Sequence, residues 1–75
     1  MPFDGLKLRE WRRRRALTLR GLGALAGVSY DSIHAIETGK QEPRPSTVRK
    51  LAEALSVAPD VFFADEEIEV GKAAA

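Results

Sequence analysis

The sequence predicts an all-α fold of five short helices in one compact domain. Three observations carry that expectation. Apolar residues recur with a period near 3.6 and not 2. Thr18, Ser29 and Pro45 stand where helix-starting residues belong. Gly27 and Gly39 follow two of the stripes, where a left-handed residue ends a helix.

The first helix is expected over about residues 5–15, with Leu8 and Trp11 as an i, i+3 apolar pair and a basic outer face. Thr18 caps a second helix over residues 19–26, whose apolar positions are Leu22, Leu25 and Ala26, and Gly27 stops it. Ser29 caps the third, which runs to about residue 38 before Gly39. Two short helices separated by Gly27, Val28 and Ser29 have the spacing of a helix-turn-helix. Pro45 suits the first position of a fourth helix with Val48, Leu51, Ala52 and Leu55 inside. Pro59 opens a short fifth helix carrying Val61, Phe62 and Phe63. Residues 1–64 thus form the domain. Residues 65–75 form an acidic tail, either flexible or part of a dimer contact, in which the alternation of "EIEV" also fits a short strand.

Composition removes several function classes. A chain of 75 residues buries only about 60% of the surface its unfolded form exposes, which disfavours an enclosed substrate cavity. There is no cysteine and one histidine, His34. Disulfides, thiolate metal sites, cysteine nucleophiles and histidine metal clusters are therefore not expected, and neither is a cofactor or an enzyme. The stretch "RRRRALTLRGLGALAG" imitates an export signal, but Arg20 and two glycines interrupt its apolar part. No run approaches the ~18 apolar residues of a membrane span, so a cytoplasmic protein without a membrane partner is expected.

Charge is divided along the chain. Residues 1–50 hold eleven Lys/Arg against five acids, a net +6, whereas residues 51–75 hold one Lys against six acids, a net −5. The first part suits a polyanion, and the second suits solvent or a protein partner.

The third helix shows how the polyanion would be read. With Ile33 at zero on a helical wheel, Ile36 falls near 300° and Glu37 near 40°, while Thr38, Asp31 and Ala35 fall at about 140°, 160° and 200°. Ile33 and Ile36 face the core, and Asp31, Ala35 and Thr38 face away. Tyr30 and His34 lie on one flank and Ser32 on the other. Such a helix, behind a capped helix and a tight turn, fits the DNA major groove.

The span from Leu8 to Phe63 resembles the lambda-repressor-like, or Cro/repressor-type, helix-turn-helix family of five-helix DNA-binding domains. The resemblance is carried by "LREWR", "LGALAGVS", "IHAIETGK", "PSTVRKLAEALSV" and "PDVFF" in this order. It implies that Arg12 and Glu37 form an internal ion pair between the first and third helices. The wheel supports this, because an unpaired carboxylate at the core edge would be costly. It also implies base reading by Tyr30, Asp31 and Ala35, with His34 beside them, and phosphate contacts from Ser32, Lys40 and Arg44, to which Thr38 is added.

One departure is Leu19, where the family often has a phosphate-binding glutamine. Thr18, Arg20 and the free N–H groups of the second helix are expected to supply the contact instead. Gly23 occupies the family's alanine position, and Gly21 has no evident role. Arg13, Arg14 and Arg15 read either as a solvated face or as DNA contacts, His34 as an exposed residue or a DNA contact, and Trp11 as core in preference to a stacking platform.

The expected function is sequence-specific binding of double-stranded DNA by a small prokaryotic transcriptional regulator, a repressor acting as a homodimer on a palindromic operator. Phe62 and Phe63 read as core, but with Val61 beside them they leave more apolar surface than so short a helix needs; Val61, Phe62, Phe63, Ile68 and Val70 are also the expected dimer contact, because little chain follows to cover them. The alternative is an antitoxin-type protein that binds a protein partner and regulates itself through DNA. No sensor or catalytic domain is expected beyond residue 63.

Overall fold

A computed structural model of the chain describes residues 3–63. It contains four α-helices, α1 (Gly5–Arg14), α2 (Leu19–Ala26), α3 (Tyr30–Glu37) and α4 (Pro45–Leu55), followed by a single 3₁₀ turn, Pro59–Phe62. The expected count of five helices is corrected at the last element. Pro59 starts a helical turn, but Phe63 is already extended, with φ −92° and ψ 147°. Four residues hold only i to i+3 hydrogen bonds, too few to propagate an α-helix.

Side chains that begin the helices do so by accepting orphan backbone N–H groups. Asp4 accepts from Leu6 at 3.0 Å, Thr18 from Gly21 at 2.9 Å and Ser29 from Ser32 at 3.2 Å. Pro45 opens α4 without a side-chain cap, as its missing N–H allows. Gly27 ends α2 in the left-handed region at φ 72°. At the corresponding point after α1 the chain uses Ala16, at φ 57°, and not glycine.

Leu8, Leu22, Ile33, Ile36, Leu51, Leu55 and Phe62 are fully buried and join all five elements in one core. Leu25 is not among them: it is 62% exposed, contrary to its expected inner position. The buried face of α2 is formed by Leu22, Gly23 and Ala26, which centres the face about 110° away from Leu25. Gly23 lies on that buried face, against the turn. A Cβ there would lie 2.6 Å from the Val28 carbonyl oxygen, so α2 approaches the turn more closely than even alanine permits.

At the far end, Phe3 and Phe63 form an isolated antiparallel bridge, and Asp4 N–H donates to the Phe62 carbonyl at 2.8 Å. The Phe62 ring packs 5.4 Å from that of Phe3. Of its two expected roles Phe62 takes the core one: with no exposed area it cannot itself form a dimer surface, which corrects that part of the expected contact. Val61 and Phe63 are only partly buried. Ile68 and Val70, with the rest of the expected tail, lie outside the described residues.

Candidate nucleic-acid interface

The surface expected to meet DNA is assembled around α3. Its inner side is closed by Ile33, Ile36 and Glu37, all buried, while Tyr30, Asp31, His34 and Thr38 are exposed and Ala35 and Ser32 are partly exposed. This is the division the wheel predicts. Among the described residues no group of three or more His, Asp or Glu is placed to hold a metal ion. No described helix is long and apolar enough to cross a membrane.

Glu37 is held from behind. The Arg12 guanidinium grips it through both oxygens, Nε to Oε2 at 2.7 Å and Nη2 to Oε1 at 3.1 Å, and donates a third bond from Nη1 to the Leu17 carbonyl at 2.9 Å. Only 12% of the arginine side chain and 4% of the glutamate side chain are exposed. Donation to the Glu37 carboxylate, partly offset by burial, raises the pKa of Arg12. One side chain thus ties α1, the loop before α2, and the end of α3, fixing how α3 is presented.

Around the outer side stand the expected phosphate-binding groups. Thr18 uses a lone pair to cap α2, which leaves its hydroxyl proton available to an anion. Ser32 lies 3.1 Å from the Ser29 hydroxyl, which donates to it, so its own proton is likewise available. Thr38 differs. Its hydroxyl points back to the carbonyls of His34 and Ala35 at 3.0 and 3.2 Å, and must rotate to meet a phosphate. Lys40 is exposed just past the left-handed Gly39, its N–H bonded to the Ala35 carbonyl at 2.8 Å, and Arg44 is exposed at the start of α4. Arg20, in the first turn of α2, lies over the ring of Tyr30 at 4.5 Å.

Leu19 lines a hollow of about 180 Å³ with Arg9, His34, Thr38 and the Arg12–Glu37 pair. His34 therefore stands beside the position of the missing glutamine, as an exposed residue on the α2 flank. The arginine run has a role that sequence reasoning missed. Arg15 donates from Nε to the Leu55 carbonyl at 2.8 Å, satisfying a helix-end acceptor of α4, and Arg14 and Arg15 stack over Trp11 at 4.8 and 5.3 Å. Trp11 is thus half core and half platform for its own helix's cations. Nothing in the local sequence signals the bond from Arg15 to Leu55, because the partner is a backbone group 40 residues away.

The fold and this face define a helix-turn-helix domain of the lambda-repressor type. Residues 5–62 match the family described as "Helix-turn-helix domain", and the chain belongs to that family. It is 46% identical over 58 residues to the HTH-type transcriptional repressor RghR of Bacillus subtilis, an alignment covering 76% of this chain and 43% of that protein. The chain thus spans less than half the length of this relative.

Among solved structures it is similar to the restriction-modification controller protein C.AhdI of Aeromonas hydrophila, with a TM-score of 0.77 and 30% identity over 79% of this chain and 89% of that one. It is also similar to the P22 c2 repressor in complex with a synthetic operator, with a TM-score of 0.77 and 26% identity over 85% and 97% of the two chains. A further likeness, 36% identity over 66 residues, is to 2-hydroxyethylphosphonate dioxygenase of Streptomyces viridochromogenes, of which it covers 15%.

Proposed function

We propose that the chain binds double-stranded DNA in a sequence-specific manner and regulates transcription by occupying its site, as a repressor in the cytoplasm and not as an enzyme. The observation that carries this reading is the outer face of α3. There Tyr30, Asp31 and His34 are exposed and Ala35 is partly exposed; these four would read bases, while Thr18, Arg20, Ser32, Lys40 and Arg44 around them would donate to phosphates. Thr38 joins those donors once its hydroxyl turns outward. An α-helix with short polar side chains fits the major groove, and flanking cations and helix N-termini fix its register on the backbone. The likeness to the dioxygenase supports no catalytic role, because it extends over so small a part of that enzyme.

The reading extends to a homodimer on a palindromic operator. One α3 contacts only a few base pairs, and a twofold pair would place two such helices about 34 Å apart. Val61 and Phe63 are the described residues that would face the second copy, together with Ile68 and Val70 in the acidic tail of residues 65–75. Phe62 would support them from within the core. Selection of bound duplexes from random DNA tests the function. It is expected to yield an inverted repeat whose binding weakens with salt as at least about three phosphates are neutralised per chain. No enriched sequence, or a shallower salt slope, would contradict the proposal.

A further inference from the structure

Arg20 sits oddly for a residue that merely scans for phosphates. It occupies the first turn of α2, where no acid accompanies it and where a cation opposes the helix dipole. Its guanidinium nevertheless has a defined place: the central carbon Cζ lies over the Tyr30 ring, 4.5 Å from its centroid, and Nη2 is 3.5 Å from the tyrosine hydroxyl. Tyr30 is the first residue of α3 and is 39% exposed. The pair therefore bridges the starts of the two helices of the helix-turn-helix, next to Leu19, whose side chain cannot hydrogen-bond a phosphate.

We infer that Arg20 and Tyr30 form one coupled reading element, in which Arg20 binds a backbone phosphate and thereby positions the Tyr30 ring against the neighbouring base edge. The inference rests on the DNA-binding function proposed above. The chemistry fits the geometry. A guanidinium carries five N–H donors in a flat fork, and among the described residues that of Arg20 bonds one side chain, Tyr30, at Oη. Its other N–H groups thus remain open to phosphate oxygens while the guanidinium lies over the ring. Stacking restricts both side chains before DNA arrives, so less conformational freedom is lost on binding. The ring then meets one base step through its flat apolar surface and hydroxyl, a contact able to favour a thymine methyl. Specificity at that step would depend on Arg20 although Arg20 touches no base.

The test is a double-mutant cycle with the full chain on its selected duplex, combined with base-by-base substitution of that duplex. Arg20→Ala and Tyr30→Ala are each expected to weaken binding about tenfold, and the double variant by about tenfold again and not a hundredfold. Arg20→Ala is also expected to relax preference at the same base pair as Tyr30→Ala. Arg20→Lys, which keeps charge and fold but loses the flat face, is expected to relax that base pair while retaining most of the salt dependence. Single effects that multiply, or Arg20 variants that weaken all sequences equally, would overturn the coupling while leaving the DNA-binding function intact. A wild-type chain that selects no sequence would overturn both.

Discussion

Helix α3 carries two carboxylates with opposite fates. Glu37, near its C-terminal end, is buried and gripped through both oxygens by Arg12. Asp31, in its first turn, is exposed and has no ion-pair partner among the described residues. The difference follows from position. At the core edge a carboxylate must be fully compensated, or burial is prohibitive. At the exposed N-terminal turn the helix dipole and water suffice, and the group remains available to an incoming partner. The same contrast divides the cations: Arg12 and Arg15 hold the domain together, whereas Arg20, Lys40 and Arg44 stand at the outer side.

Separating the two sides by mutation should separate stability from recognition. The largest effect is expected from Arg12→Ala, which strands Glu37 in the interior and should lower unfolding free energy by about 3–5 kcal/mol, read by denaturant titration. Replacing both partners, Arg12→Met with Glu37→Leu, should recover most of the loss, since the cost lies in the unpaired charge. If Arg12→Ala melted like the wild type but bound different sequences, the division would be misplaced.

Asp31→Ala is the converse case. Thermal stability should change little, while discrimination at one base pair falls by ~1–3 kcal/mol, because a carboxylate accepts from cytosine N4 and repels phosphates. Nonspecific affinity should rise in the same binding assay. Gly23→Ala probes the packing behind the reading helix. The added Cβ would lie 2.6 Å from the Val28 carbonyl, so α2 must shift, at a cost of roughly 1–3 kcal/mol by thermal melting. The smallest effect is expected at Ala16, whose φ of 57° disfavours a side chain. Ala16→Gly should stabilise by less than about 1 kcal/mol and leave DNA preference unchanged.

The two sides were not equally legible in the sequence. Local signals were clear: Thr18 and Ser29 cap their helices, Gly27 turns between them, and the wheel of α3 separates Ile33 and Ile36 from Asp31. The Arg12–Glu37 pair was also legible, because burial of Glu37 demanded a partner and the family resemblance supplied one. Long-range features were not. Arg15 finds a carbonyl on α4, and Arg20 finds Tyr30 across the turn, through side-chain reach that no periodicity encodes. Leu25 was misplaced because the buried face of α2 is formed by Leu22, Gly23 and Ala26. The last element was overcalled because Pro59 marks where a helical turn starts but not that it ends within four residues. For Phe62 an apolar aromatic suits core and dimer surface equally well in sequence, and its packing against Phe3 and the rest of the core distinguishes the two fates.

DNA is expected to meet the outer side of α3 and its cationic surround. Amide chemical-shift mapping of the labelled full chain, titrated with its selected duplex, tests it most directly. The largest shifts are expected at Thr18 to Gly21, at Ser29 to Ala35, and at Lys40 to Arg44, with small changes along Arg13, Arg14 and the Phe3–Phe63 bridge. Shifts concentrated on the outer face of α1 or around Phe63, with α3 silent, would contradict it.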